Sequence, residues 1–385
     1  MRKTITLLGI SVLFFSCYSP DESNGKRTVF RYNEIGGITS LDPASAKTVE
    51  NIWAVNQIFN GLVQLDDNLN VSPCIAKSWE ISDSGRVYTF LLRNDVFFHD
   101  HSAFETGKGR KLIASDFVHT FFRLSDETTD QAPKYLLKYL DHTEKGKQIG
   151  CDAPNDSTFV IYLEKSFPPF LQILTMQYFS VIPHEVTEEI GEEFRRNPVG
   201  TGPFKFKVWE EGVKLVLEKN PKYFEFEGTH RLPYMDAIAI SFVKDKQSAL
   251  LSFIKEDFDL ISGADVINSD QVFGEDGEFK DEFKGRFVLQ KGPYLKTDYL
   301  GFLVDENLEI VKNSPLKNKL VRQAVNYAID RQKIITFIRS GIGKPANSGF
   351  VPHGMPSFDA KKVKGYEYDP DKSRKLLADA GFPQG

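Results

Sequence analysis

Residues able to do chemistry are few in this chain, and their spacing limits what they could do. His99-Asp100-His101 sets two imidazoles around a carboxylate, the ligand types of a metal site. Adjacent side chains on an extended or turning backbone point apart, whereas a metal needs converging ligands. The stretch is therefore expected to be a surface turn, and no metal site is expected. Cys17, Cys74 and Cys151 show neither a CxxC nor a zinc spacing; Cys74 and Cys151 could pair in an oxidising compartment or remain buried thiols. No G-x-S-x-G, H-E-x-x-H or phosphate-binding glycine loop occurs, so the usual nucleophiles, bases and phosphate cradles have no foothold. The chain is expected not to be an enzyme and to need no cofactor.

What remains is side chains that could hold a ligand, and a backbone built to position them. Tyr135 and Tyr139 are spaced i, i+4, which suits a core face as well as a ligand wall. The firmest positional signal is Asn197-Pro198-Val199-Gly200-Thr201-Gly202-Pro203-Phe204. Its prolines fix φ, and its glycines permit positive φ or close backbone approach, so it reads as a rigid corner between lobes. Phe204, Phe206 and Val208 alternate with lysines and predict a strand, a turn at Glu210-Glu211-Gly212, and a return strand from Lys214 to Glu218.

A chain of 385 residues exceeds what one core usually serves, so two or more lobes are expected. With 41% hydrophobic and 26% charged residues it is an ordinary globular composition, and a net charge of −5 offers no basic stripe for nucleic acid. Its 32 Phe and 14 Tyr could fill cores or line a cleft. Arg2 and Lys3 precede an apolar run from Ile5 to Phe15, too short to span a bilayer of ~30 Å but suited to a signal-peptide core. Leu13 to Cys17 resembles a bacterial lipobox, with Phe14 a departure, so Cys17 is expected to be lipidated and residues 18–27 to be a flexible tether.

In chain order, Val29 to Tyr32 predicts a strand entering Gly36-Gly37-Ile38-Thr39-Ser40-Leu41-Asp42-Pro43. A helix carrying Ile52, Val55, Ile58 and Phe59 is expected to end at Gly61, and Ser115 to cap a helix with Phe117, Val118, Phe121 and Phe122 on one face. Thr158 to Leu163, the lead from Leu232-Pro233 to Phe242, Phe258 to Ile261 and Leu300 to Phe302 predict further strands. Ser248 to Ile254, Pro315 to Asp330 with its stripe Val321, Ala324, Val325, Ala328 and Ile329, and a last helix from Asp369-Pro370 to Gly381 predict helices.

This order resembles the family 5 extracellular solute-binding proteins, the peptide- and nickel-binding receptors of ABC importers. The likeness rests on the opening strand, glycine loop and Leu41-Asp42-Pro43, on Ala76 to Arg93, on the corner at 197–204, and on Val321 to Ile334. It implies an α/β, periplasmic-binding-protein type II-like fold: two lobes around a ligand cleft plus an inserted lobe. The boundaries implied are 28–61 with 198–287 for lobe I, 62–197 for the inserted lobe II and 288–385 for lobe III. Hinge closure of such lobes on a ligand would present a closed surface to a permease. The resemblance also implies a short peptide ligand between Gly37, Ile38 and Thr39 on one wall and Tyr135, Tyr139, Met176, Gln177 and Tyr178 on the other. Partners would be the permease and ATPase and, through lipid on Cys17, the periplasmic side of a bacterial membrane, with the receptor a monomer. The nickel branch's arginine is missing near Met176, which puts a nickel chelate in doubt. The alternatives are a sensor or chaperone acting without a transporter, or a binder of a non-peptide solute such as a metal chelate. Relatives continue for well over a hundred residues past the position of Gly385. Lobe III is therefore expected to be incomplete here, its C-terminal part missing along with the aspartate that pairs with a peptide's α-ammonium, and residues 18–385 alone to aggregate without responding to ligand.

Overall fold

The computed structural model describes residues 27–126, 133–143, 149–262, 269–273, 279–290, 292, 294–339, 341–356 and 358–384. Cys17, the apolar leader and most of the expected tether lie outside the described residues. The strands are β1 (Val29–Asn33), β2 (Val63–Leu65), β3 (Val71–Pro73), β4 (Ala76–Ser82), β5 (Val87–Leu92), β6 (Cys151–Asn155), β7 (Thr158–Tyr162), β8 (Phe204–Glu210), β9 (Lys214–Lys219), β10 (Phe226–Glu227), β11 (His230–Arg231) and β12 (Ala237–Ser241). Two four-stranded sheets carry the fold, in orders β1-β12-β9-β8 and β4-β5-β7-β6. The first is mixed, with β1 parallel to β12, while every pair in the second is antiparallel.

The β8–β9 hairpin turns where the sequence predicts, with Gly212 at φ +71°. The alternation expected along β8 fails at Val208. A register shift between Phe206 and Val208 hands the inward position to Trp209, which is 7% exposed against 37% for Val208. One extra residue in one strand of a pair flips every later side chain to the other face.

On the second sheet Tyr88, Phe90, Phe159 and Ile161 are buried, and α2 (Ala114–Ser125) lays Phe117, Phe121 and Leu124 over them. Phe159 meets Phe117 and Phe121 at ring-centroid distances of 5.4 and 5.5 Å. Ser115 does not cap this helix. The helix starts at Ala114, because the Asp116 carboxylate accepts the Ile113 amide at 2.9 Å while Arg110 grips it from outside. Helix α1 (Val49–Ile58) likewise ends before Gly61, at an extended Phe59. Its last-turn carbonyl, Ile58 O, is taken at 2.8 Å by the amide of Gly202, so the corner rather than a local glycine closes the helix.

One contiguous buried core runs from Ile38 to Phe242, and a smaller cluster gathers Leu250, Val272 and Phe283. Phe258 to Ile261 forms only a single parallel bridge, Leu260 to Tyr32, held by a two-pronged Arg31–Asp259 ion pair. Leu300 to Phe302 is irregular, since no described strand lies alongside to take its backbone groups. Helices Lys319–Ala328 and Pro370–Asp379 pack together through Ser373 Oγ donating to Ala324 O at 2.8 Å. Asp369 caps the second helix by accepting the Lys372 amide, with Pro370 in the first turn and Gly381 beyond its end, as expected. Of the expected stripe, Val321 and Ala324 are buried while Ala328 is exposed.

Candidate functional site

The glycine loop after β1 is built by three neighbours. Gly37 takes φ +71°, and a Cβ on Gly36 would fall 2.7 Å from the Glu50 carboxylate of α1. Thr39 is held at both ends by Asn51, whose side chain accepts its amide and donates to its hydroxyl oxygen, each at 3.0 Å. Arg195 donates to the Thr39 carbonyl at 3.4 Å. Burial, then the charge of Glu50, raises the Glu34 carboxyl beside this loop. Gly37 and Thr39 lie on the outer side, whereas Ile38 is 6% exposed and belongs to the core.

The loop runs into the Leu41-Asp42-Pro43 turn, where the segment carrying Gln177 and Tyr178 docks. Asp42 accepts the Ala44 amide at 3.0 Å and faces Arg123 of α2 through two bonds of 3.0 and 2.5 Å. Gln177 is buried and donates Nε2 to Ala46 O at 2.5 Å. Tyr178 is also buried and lines a small cleft with Pro43, Ala44 and Arg123; burial, then Tyr135, raises its hydroxyl. The structure thus brings Gln177 and Tyr178 onto the turn that continues the Gly37–Thr39 loop. Met176, half-buried, precedes them and packs against the core.

Tyr135 and Tyr139 do not share a face. Lys134–Tyr139 is a 3₁₀ segment, in which i and i+3 align instead of i and i+4. Tyr135 is 64% exposed, while Tyr139 stacks on Phe167 at 4.1 Å and is committed there.

The side chains of His99, Asp100 and His101 go to separate partners. His99 is buried: its Nε2 lies 3.0 Å from Gly202 O, and its Nδ1 receives the Gly200 amide at 3.4 Å. Burial pushes this imidazole down to about 4. Burial also works against the Asp100 carboxylate, yet the Gly109 amide, Lys108 and Lys222 hold it at about 2. His101 Nδ1 accepts the Ala103 amide at 3.1 Å. Cys74 and Cys151 are separate free thiols, both buried; burial pushes Cys74 up to about 12 and Cys151 further.

Three positioning groups escaped the sequence reading: Arg123, Gln177 in its role toward Ala46, and His99. A signal that could have pointed to Arg123 is Asp42 itself, a carboxylate beside a proline that needs a cation once it is buried.

A family model for "Bacterial extracellular solute-binding proteins, family 5 Middle" matches residues 70–385. Heme-binding protein A of Haemophilus influenzae is 30% identical over 407 residues, covering 100% of this chain and 70% of that protein. Glutathione-binding protein GsiB of Shigella flexneri is 27% identical over 350 residues, covering 90% and 60%. The ABC transporter-associated periplasmic binding protein DppA from Helicobacter pylori, solved with peptide STSA, superposes with a TM-score of 0.74 at 26% identity, covering 93% of this chain and 67% of that one. The chain therefore spans 60–70% of the length of these curated relatives. The described architecture is the type II periplasmic-binding fold, and the chain belongs to the family 5 bacterial extracellular solute-binding proteins.

Proposed function

We propose that this protein is the substrate-binding lipoprotein of an ABC importer, capturing short peptides and delivering them to a membrane permease and its ATPase without turning them over. The observation that carries this reading is the shared turn. Gln177 donates to Ala46 O and Tyr178 packs beside Pro43 and Ala44, in the turn that continues directly from Gly37 and Thr39. This packing gathers candidate wall residues around one stretch of backbone, which suits an extended ligand recognised through its main chain. The likeness to DppA bound to a peptide supports it. Lobe I (28–61 and 198–287) and lobe III (from 288) close on the ligand, with lobe II (62–197) the inserted lobe. Cys17 carries the lipid that holds a monomeric receptor to the envelope, each buried CH₂ contributing ~0.8 kcal/mol; Cys17→Ala should move the protein to the soluble fraction, and unchanged membrane partitioning would refute the anchor.

A second reading, a non-peptide solute, is favoured by the 30% identity to a protein named for heme binding. Calorimetric titration of the full-length protein with di- to pentapeptides, hemin and glutathione separates the two. Binding of peptides, the γ-linked tripeptide glutathione among them, without hemin supports the first; binding of hemin with no peptide bound overturns it.

A further inference from the structure

The imidazole of His99, buried away from the candidate ligand walls, is bonded on both ring nitrogens. It sits where three pieces of chain meet: the segment entering at Phe98, the corner at 197–203, and the end of α1. His99 makes three bonds to two glycines. Its own amide donates to Gly200 O at 2.8 Å, the Gly200 amide points at Nδ1 at 3.4 Å, and Nε2 lies 3.0 Å from Gly202 O. A carbonyl on one side and an amide on the other fix the tautomer: Nε2 carries the proton and Nδ1 must be bare. The corner cannot back away, because Gly200 and Gly202 already press on Ile58; a Cβ on either would lie 2.2 to 2.6 Å from its carbonyl oxygen. Asn220 Nδ2 adds a bond to Gly202 O at 2.9 Å.

We propose that His99 is a proton-operated latch on the corner 197–203. Neutral, it ties the corner, itself bonded to α1 through the Gly202 amide, to the 98–100 segment; protonated at Nδ1, it sets a donor against the Gly200 amide and releases the corner, from which β8 departs.

The charges facing the ring do not offset this. Lys205 of β8 opposes protonation, and Asp100 favours it but is already shared between Lys108 and Lys222. Arg110 lies over the neighbouring Phe98 ring at 5.2 Å and is itself paired with Asp116 and Glu185. The direction follows from linkage. With the folded imidazole held below its ordinary value near 6.5, the latch is fully closed above that pH and weakens as pH falls toward 4. A depression of this size corresponds to about a hundredfold shift of the closed-to-open equilibrium between pH 7 and pH 4.

The test uses the full-length protein with ¹⁵N-labelled histidine, together with amide exchange of segment 198–203 read by mass spectrometry and corrected for intrinsic rate. The expected spectrum at pH 7 shows His99 protonated at Nε2 only and titrating below pH 5. Exchange of 198–203 should rise steeply from pH 6.5 to 4.5, relative to β12. His99→Gln keeps a donor for Gly202 O but cannot take up a proton, so its corner should lose that acid response; His119, also held low by burial, contributes equally to both proteins. A His99 signal titrating near 6.5, or an unchanged acid response in His99→Gln, would overturn the latch. If His99→Gln does not fold, the wild-type exchange decides: protection of 198–203 that does not fall relative to β12 as pH drops to 4.5 would overturn the latch.

Discussion

Gly202→Ala should destabilise this protein strongly, and the size of the effect comes from the packing around one missing atom. A Cβ at position 202 would lie 2.4 Å from the carbonyl carbon of Ile58 and 2.6 Å from the carbonyl oxygens of Gln57 and Ile58, all backbone atoms at the buried end of α1. No rotamer relieves that overlap; the corner and the helix end must separate. Overpacking of this kind costs about 1–3 kcal/mol. Separation also strains the Gly202 amide bond to Ile58 O, and leaving a buried carbonyl unsatisfied costs about 1–3 kcal/mol more. Against this, alanine at an ordinary φ stiffens the unfolded chain by about 0.4–1 kcal/mol. The net expectation is a loss of about 3 kcal/mol. Urea unfolding followed by tryptophan fluorescence reads it, since Trp209 is buried on β8 close to the corner. Gly212→Ala is the comparison, a residue in open space at φ +71°, where the strain of the left-handed region alone costs about 1–2 kcal/mol. Gly202→Ala as stable as wild type, or no worse than Gly212→Ala, would refute the close-approach account of the corner.

Asp42→Asn and Arg123→Ala should each cost about 2–4 kcal/mol, because each leaves a charge or a turn unpartnered in a pair whose side chains are only 7% and 20% exposed. A double-mutant cycle should show strong coupling, and additive losses would contradict the pairing. Gln177→Ala should lose about 1–3 kcal/mol by orphaning Ala46 O, measured by thermal unfolding; a neutral substitution would show that the bond is replaced by water. Cys74 and Cys151 should resist iodoacetamide at pH 8 in the folded state, since burial keeps both thiols protonated. Peptide mapping that finds either alkylated at a free-thiol rate would contradict their burial.

The parts of this fold that could be read from sequence are those fixed by local chemistry. Asp369-Pro370 and Gly381 bracket a helix because a carboxylate cap, a preset φ and an αL residue act within one turn. The corner at 197–203 was legible for the same reason, although its glycines turn out to serve contact and not positive φ. Features decided by a distant partner were not legible. The slip along β8 depends on pairing with β9; the start of α2 depends on Arg110 and Asp116 competing with Ser115; the end of α1 depends on Gly202. In the candidate site, the Gly37–Thr39 loop showed itself through glycines, whereas Arg123 lies 81 positions from Asp42, and Gln177 lies 131 from Ala46. The spacing of Tyr135 and Tyr139 misled because a 3₁₀ segment replaces the α-helix that i, i+4 assumes.

The central claim, that this receptor carries short peptides, is tested most directly by what it already holds. Mass spectrometry of small molecules released by denaturing the full-length protein, purified from cells that make it without refolding, should return a family of masses resolving into peptides of a few residues with varied side chains. Heme or another single non-peptide solute at near-equal ratio to protein, with no peptide present, would contradict it.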